Sequence, residues 1–321
     1  MKIFDVKNAV NQRYREFNNG AIVVDIKRED LLNTHVSGNK LRKLKYNLLQ
    51  AQQKGINTVL TYGGAFSNHI AATAAAGNIC GFKTIGVIRG EELGRDLEKT
   101  LNSNKTLQTA HQLGMQFKFI SRSDYRVKYE KEFQQRLKAE FIEFYNIPEG
   151  GTNQLAVKGC EEILTSVDKT TYDYICLAAG TGGTAAGIIN SVESHQRVLV
   201  FSALKGDFMF DEIAKYTDRE NFMVFNEDRF GGYAKSSDGL IKFMNGRFRE
   251  SVTEQNPKGI PLEPIYTGKM MYRLEHLIKS GVISGETRIL AIHTGGLQSV
   301  AGYNDMLEKK GKITLDYINE I

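Results

Sequence analysis

Cysteine and proline are both scarce in this sequence. Its three cysteines, Cys80, Cys160 and Cys176, are odd in number and form no C-x-x-C pair, so neither a disulfide framework nor a cysteine zinc site is predicted. Buried free thiols in a reducing compartment are expected instead. The six histidines lack a metal-ligand spacing such as H-E-x-x-H, and we expect no metal.

Long apolar runs are also missing. No run is long enough to span a membrane, and the first ten residues, MKIFDVKNAV, lack the apolar core of a signal peptide. We therefore expect a cytoplasmic protein with no membrane partner. The net charge of +5 is spread along the chain, which favours a small anionic ligand and argues against nucleic acid.

Short apolar strands alternate with amphipathic or alanine-rich helices along the 321 residues. This succession predicts an α/β fold with parallel sheets and helices on both faces. The predicted strands are 58–62, 84–88, 117–120, 174–178, 197–201 and 288–293. The predicted helices are 40–54, 67–80, 104–113, 130–144, 154–167, 183–192 and 297–310. Two breaks stand out: IPEGGTN at 147–153 is a candidate domain boundary, and 225–269 is predicted to be irregular and to cover a site.

Three glycine-rich junctions each follow a predicted strand and precede a predicted helix. They are TYGGAFSNH (61–69), AAGTGGTAAG (178–187) and HTGGLQS (293–299). In open α/β sheets ligands bind at the carboxyl ends of strands, so the three junctions are expected to converge on one crevice.

The middle junction has the composition of a phosphate-binding loop. Its glycines let backbone amides point inward, the helix start favours negative charge, and Thr181 and Thr184 add hydroxyls. The run from Gly180 to Ala185 also fits the dinucleotide fingerprint G-x-G-x-x-A, which needs an acidic residue roughly 20 positions on. The next predicted strand ends in Phe-Ser-Ala at 201–203, without an acid. A single phosphate on a non-nucleotide cofactor fits better, and a nicotinamide-dependent oxidoreductase stays open as the alternative.

Lys40 lies in the run SGNKLRKLK, where Gly38 and Asn39 predict a turn and a helix start. A lysine in the first turn is disfavoured by the helix macrodipole unless its amine is neutral or covalently modified. Lysine amines of lowered pKa form imines with carbonyl cofactors. A solvated basic helix face is the other interpretation, and it is the one expected for Lys43 and Lys45.

Ser67, Asn68 and His69 follow two glycines at another predicted helix start. Free amides at such a start suit a carboxylate. Ser67 is able to cap the helix or shuttle a proton, and Asn68 to bond an oxygen. His69 is expected to titrate near neutral pH and to act as an acid or base. A simple Ser/Asn cap beside an incidental histidine is the alternative.

Taken together, these segments resemble the tryptophan-synthase-β-like, fold type II, pyridoxal-5′-phosphate (PLP) enzymes. Within them they resemble the branch of 1-aminocyclopropane-1-carboxylate (ACC) deaminase and D-cysteine desulfhydrase. The matching segments, in family order, are SGNKLRKLKY (37–46), GGAFSNH (63–69), PEGGTN (148–153), AGTGGTAAG (179–187), GGY (231–233), PIYTGKMMY (264–272) and HTGG (293–296).

The resemblance implies an architecture. It has two open, twisted, mostly parallel sheets with flanking helices. A large PLP-binding domain would contain residues 1–42 and 150–321, and a small inserted α/β domain would contain residues 43–149. Relatives of this kind are commonly homodimers, so a homodimer is expected.

The resemblance also implies which residues hold the cofactor. Lys40 would form the imine with PLP, and Asn68 would bond the ring hydroxyl. Thr294 would meet the pyridine nitrogen, where a hydroxyl makes the ring a milder electron sink than an aspartate would. The phosphate would be held by Thr181, Gly182, Gly183 and Thr184.

Catalysis and substrate binding are implied in the same way. Lys40 or Ser67 would remove the α-proton, and Tyr266 or Tyr233 would act as acid on the leaving group. The substrate is expected to contact Ser67, Asn68, His69 and Thr267.

Two positions separate the members of this branch. ACC deaminases carry Gln after Ser-Asn and Glu after the second tyrosine, and this chain has His69 and Thr267 there. Both substitutions resemble D-cysteine desulfhydrase. The predicted reaction is therefore elimination from a small amino acid, with D-cysteine giving pyruvate, hydrogen sulfide and ammonia. ACC deaminase is the alternative, and a non-catalytic metabolite-binding module is a further one. GGYAKSSDG and KMMY depart from the branch's usual patterns.

Overall fold

The structure, a computed structural model, describes residues 1–4, 9–226 and 229–317. These residues form two compact units. The first contains 1–4 and Lys40–Gly159; the second contains 9–39 and the described residues from 160 onward. The domain boundaries at 42/43 and 149/150 stay a prediction.

Helices and strands alternate along most of the described chain. The strands are β1 (Asn11–Phe17), β2 (Ile22–Lys27), β3 (Thr58–Gly64), β4 (Lys83–Arg89), β5 (Gln116–Ile120), β6 (Tyr145–Asn146), β7 (Tyr174–Ala179), β8 (Arg197–Ser202), β9 (Phe222–Asn226) and β10 (Thr287–Ile292). The helices are α1 (Asn39–Gln53), α2 (Asn68–Cys80), α3 (Leu97–Ser103), α4 (Lys105–Gln112), α5 (Arg122–Arg126), α6 (Lys131–Phe141), α7 (Gln154–Cys160), α8 (Ser166–Thr171), α9 (Gly183–Ser191), α10 (Met209–Ala214), α11 (Asp238–Ser251), α12 (Thr267–Lys279) and α13 (Val300–Glu308).

The second unit contains a six-stranded sheet of order β1-β2-β10-β7-β8-β9. Its first two strands are antiparallel and all its other neighbouring pairs are parallel. The central strands β7 and β10 are buried almost throughout, which explains why they read as continuous apolar runs. Their parallel alignment brings the segments after β7 and β10 to the same edge of the sheet.

The first unit contains a four-stranded, wholly parallel sheet of order β5-β4-β3-β6. Helix α2 packs against β3 and β4, and its small residues permit a close approach. A Cβ on Gly77 would lie 2.2 Å from Cγ2 of Thr84, so no larger residue fits there without a shift. The sequence SNHIAATAAAG (67–77) therefore supplies both the start of α2 and the small residues of its packing face.

These observations confirm the predicted α/β class with two open, mostly parallel sheets. All six predicted strands are present. The predicted helix 154–167 is wrong, because α7 ends at Cys160 and a new helix, α8, begins after Thr165. Thr165 and Asp168 form a capping box, each side chain bonding the other's backbone amide, and this starts a separate helix.

The prediction that 225–269 is irregular is wrong where helix α11 (Asp238–Ser251) lies, and residues 227 and 228 of that segment lie outside the described residues. Ser237 caps the helix by accepting a hydrogen bond from the Leu240 amide, and Leu240, Met244 and Phe248 are buried along one face at helical spacing. The polar residues and glycines between them obscured this pattern in the sequence. Among the described helices, none combines the length and apolar composition that membrane crossing requires.

Candidate active site

The start of α1 is anchored by Asn39. Its backbone amide donates to the Thr294 carbonyl at 3.2 Å, and its side-chain Nδ2 donates to Oγ1 of Thr184 at 2.9 Å. Gly38, with φ +63°, lies so close to this turn that a Cβ would stand 2.0 Å from the Thr294 oxygen. The residue that precedes Lys40 is thus bonded to two of the predicted cofactor-binding positions.

The loop between β7 and α9 contains the predicted phosphate-binding residues. Gly182 occupies the helix N-cap in a left-handed conformation, φ 76°, which favours glycine. The Gly183 amide donates to the Thr181 carbonyl at 3.0 Å, and Thr184 is buried. Helix α9 is nine residues long. Its N-terminus presents free backbone amides and the positive end of the helix dipole beside Thr181 and Thr184.

The turn after β10 is held by a neutral histidine. His293 is fully buried, and burial lowers the pKa of its imidazole, although Asp30 acts in the opposite direction. Its Nε2 donates to the Pro261 carbonyl at 2.8 Å, and its Nδ1 accepts from the Gly295 amide at 3.2 Å. This bonding fixes the turn at Thr294, which is itself almost buried.

The two predicted tyrosines lie together. The rings of Tyr233 and Tyr266 make an edge-to-face contact with centroids 6.1 Å apart. A Cβ on Gly180 would come within 3.1 Å of the Tyr266 hydroxyl oxygen, so that ring lies against the glycine-rich loop. The second unit thus brings together the loop, both tyrosines and, through Asn39, Thr294.

Glu263 positions the residues at the start of α12 and was missed in the sequence. Its carboxylate accepts hydrogen bonds from the backbone amides of Ile265, Tyr266 and Thr267 at 2.8, 2.7 and 2.5 Å. The Thr267 hydroxyl is fully buried and bonds the backbone of Glu263. The structure therefore shows the Thr267 hydroxyl bonded to the Glu263 backbone, and its contact with substrate stays a prediction.

Glu263 is expected to make stability depend on pH. Burial raises the pKa of its carboxyl to about 7, and the N–H donors offset only part of that rise. The unfolded chain ionises near pH 4.5 and the folded chain near 7, so stability is full below 4.5 and declines up to about 7. Urea unfolding should show the wild type losing about 3 kcal/mol relative to Glu263→Gln across this window. A difference that is constant with pH would contradict the assignment.

In the first unit, the loop after β3 carries the three other predicted residues. Ser67 caps α2 by accepting from the Ile70 amide at 3.4 Å, and Asn68 is the first helical residue. His69 is 2% exposed, and its Nε2 lies 2.8 Å from the hydroxyl of Thr61. A serine cap therefore places the asparagine, the histidine and the amides of the first turn at one end of the helix.

The prediction that His69 titrates near neutral pH is wrong. Burial lowers the pKa of its imidazole well below the ordinary value, and the positive charges of Lys40 and Lys43 lower it further. The ring is therefore neutral at physiological pH.

Lys43 was expected to be solvated, and this is wrong. It is 2% exposed, and its Nζ donates to the Gly150 carbonyl and to Oγ1 of Thr152, both at 2.7 Å. These bonds tie α1 to the segment PEGGTN. Lys45 is half-buried, with its amine over the Tyr46 ring, and Lys40 is half-buried in the first turn of α1.

The chain belongs to the pyridoxal-phosphate dependent enzymes, since the model of that family matches residues 13–221. Within this class it is similar to proteins that are named as ACC deaminases. It is 31% identical over 302 residues to a Pyrococcus horikoshii protein provisionally named 1-aminocyclopropane-1-carboxylate deaminase, covering 88% of this chain and 87% of that protein. It is 30% identical over 298 residues to the mitochondrial bifunctional D-cysteine desulfhydrase/1-aminocyclopropane-1-carboxylate deaminase of Arabidopsis thaliana, covering 85% and 72%.

A solved structure agrees with these sequence relatives. The crystal structure of an ACC deaminase homologue superposes with a TM-score of 0.75 at 28% identity, covering 94% of each chain. The predicted family, fold type II architecture and cofactor are therefore confirmed. The roles of individual residues stay predictions.

The residues present fit PLP. A dianionic phosphate suits the amides and threonine hydroxyls at the start of α9, where Gly182 keeps the approach open. Thr294 offers a neutral hydroxyl, and Lys40 has the amine that is predicted to attach the cofactor. The sequence predicts Asn39 only as a turn residue, although its position directly before Lys40 indicates a place in the site. The positions of Glu263 and Thr61 carried no such signal.

Proposed function

We propose that this protein eliminates the β-substituent of a small amino acid and deaminates it, with D-cysteine as the model substrate. The balanced reaction takes up one water and releases pyruvate, hydrogen sulfide and ammonia. PLP, when bound, supplies an electron sink for negative charge at the α-carbon. The work of the chain is to hold the cofactor, orient the amino acid and move protons.

The chain's residues divide this work as follows. Lys40 provides the amine that attaches the cofactor and that accepts the α-proton, with Ser67 as the other candidate for that proton. The backbone amides of Ser67, Asn68 and His69, at the start of α2, bind the substrate carboxylate. Residues Thr181, Gly182, Gly183, Thr184, Asn68 and Thr294 hold the cofactor.

The tyrosines are proposed to serve the leaving group. Tyr266 lies against the glycine-rich loop, and the Tyr233 ring makes an edge-to-face contact with the Tyr266 ring. A phenol in this place is able to donate a proton to a departing thiolate. Glu263, by bonding the Tyr266 amide, fixes the backbone from which that ring projects.

The choice of D-cysteine rests on His69 and Thr267, which occupy the two positions that separate the members of this branch. ACC has no α-hydrogen, and opening its ring requires extra groups that act on the ring carbons. Here the position after Tyr266 is a threonine whose hydroxyl is bonded to Glu263, and His69 is buried and neutral. Neither side chain supplies a carboxylate or a titrating acid for that task.

ACC deaminase remains the second candidate, favoured by the name of the relatives and of the similar solved structure. Its reaction takes ACC and water to 2-oxobutanoate and ammonia. The oxidoreductase alternative has less support. Strand β8 ends at Ser202, whose hydroxyl donates to the Leu204 carbonyl, so this position offers no carboxylate to a ribose. A cytoplasmic homodimer is also part of the proposal.

We expect D-cysteine to be the preferred substrate of the PLP-loaded protein. Its kcat/KM should exceed that for ACC and for L-cysteine by about a hundredfold or more, since discrimination lies in differential transition-state binding. Sulfide and pyruvate would be measured for the cysteines and 2-oxobutanoate for ACC. Faster release of 2-oxobutanoate would select ACC deaminase. Turnover of none of the three, with the cofactor bound, would reject both proposals in favour of a binding module.

A further inference from the structure

The hydrogen bonds of Thr61 define the protonation state of His69. The Thr61 hydroxyl donates to the Ile147 carbonyl at 2.9 Å, and the same oxygen lies 2.8 Å from Nε2 of His69. A carbonyl only accepts, and a hydroxyl has one hydrogen. Once that hydrogen is given to Ile147, the contact with His69 is favourable only if Nε2 carries the proton. This bonding favours the neutral Nε2–H tautomer of the imidazole.

The other nitrogen of the ring is left as a bare acceptor. Nδ1 of His69 is buried, and among the described residues it has no hydrogen-bond partner. Leaving a buried acceptor unsatisfied costs roughly as much as a lost hydrogen bond. The ring is tethered at Nε2, and its Cε1–Nδ1 edge faces Gly151, where an added Cβ would lie 2.9 Å from Cε1 and 3.3 Å from Nδ1. An acceptor that is held in place without a partner points to a ligand that brings a donor.

We propose that Thr61 is a positioning residue that holds His69 as a neutral acceptor for a hydrogen donated by the bound amino acid. The donor is a protic group, either the α-amino group or a β-thiol or β-hydroxyl. The assignment of the donor rests on the proposed function, whereas the assignment of the tautomer does not. A basic neighbourhood supports the neutral state, since Lys40 and Lys43 both disfavour a second proton on the ring.

The tautomer is tested in the substrate-free holoenzyme by long-range 1H–15N correlation on histidine-labelled protein. His69→Gln identifies the resonances among the six histidines. We expect Nε2 protonated and Nδ1 unprotonated from pH 6 to 8. Thr61→Val, which removes the hydroxyl at similar volume, should give a tautomer mixture, and Thr61→Ser should restore the single form. A protonated Nδ1 in the wild type, or no change in Thr61→Val, would overturn the proposal.

Thr73 provides a matched control for a buried threonine. It lies on α2, is 1% exposed, and its hydroxyl has no partner among the described residues. Thr73→Val should therefore leave the His69 spectrum unchanged. A general loosening of α2 would alter both valine variants alike, and that result would also count against the role assigned to Thr61.

The donor is identified by adding D-serine or D-alanine, which differ by one hydroxyl, to the labelled holoenzyme. If the β-substituent is the donor, only D-serine moves the Nδ1 resonance toward its protonated value, and D-serine binds about fivefold tighter than D-alanine. If the α-amino group is the donor, both amino acids move it. Thr61→Val should weaken these responses while Thr61→Ser keeps them. Binding of both amino acids without any Nδ1 shift would reject the acceptor role, even in a protein that turns over D-cysteine.

Discussion

Replacing Lys40 with alanine is expected to lower turnover by on the order of 10³ or more, because one side chain provides both the covalent attachment and a proton acceptor. The bonds of Asn39 to Thr184 and Thr294 do not involve the Lys40 side chain and should remain in the variant. Cofactor affinity should therefore fall less steeply than activity. Steady-state kinetics, together with the loss of the borohydride-sensitive visible absorbance, would measure the two effects separately.

Lys45→Ala is the matched control, since Lys45 lies on the same helix and its amine contacts the Tyr46 ring. That variant should keep the visible absorbance and most of the turnover. Activity in Lys40→Ala within tenfold of wild type would exclude Lys40 from the chemistry. Borohydride trapping followed by peptide mass analysis would then locate the attached lysine.

The strands and glycine-rich junctions were predictable because their signal is local. An apolar run that ends in glycines encodes a buried parallel strand and a tight turn, and β3, β7 and β10 all follow this rule. The hairpin of β1 and β2 was missed. Strand β1 has the sequence NQRYREF, which is polar because it lies at the edge of its sheet. Strand β1 forms because it pairs with β2, and its own composition does not indicate that pairing.

For the candidate site, the sequence indicates the types of side chain but not their burial or protonation states. Lys43 reads as one more charge in SGNKLRKLK, and only the fold brings the Gly150 carbonyl and the Thr152 hydroxyl to its amine. His69 reads as a residue that titrates near neutral pH, and only burial beside two lysines lowers the pKa of its imidazole well below that range. A sequence gives the chemical type of a side chain, but its pKa is set by solvation and by charges that are distant along the chain.

Gly38→Ala is expected to destabilise the protein by about 3 kcal/mol or more and to weaken PLP binding at least tenfold. A left-handed conformation costs a residue other than glycine roughly 1–3 kcal/mol. In addition, the new Cβ would lie 2.0 Å from the Thr294 oxygen and 2.7 Å from the Gly295 nitrogen, so this part of the backbone must move. That movement would break the bond from the Asn39 amide and displace the residue before Lys40.

Gly55→Ala separates the cost of the left-handed backbone conformation from the cost of the steric contact. Gly55 has φ +71°, and a Cβ there would meet nothing within 4 Å. It should cost about 1 kcal/mol, from the backbone conformation alone, and leave cofactor affinity unchanged. Urea unfolding of the apoproteins and PLP titration of each variant provide both measurements. Equal losses of stability in the two variants would mean that the contact of Gly38 with the Thr294 turn is not what makes glycine necessary. Unequal stability with equal PLP affinity would mean that this contact supports the fold and does not position Lys40.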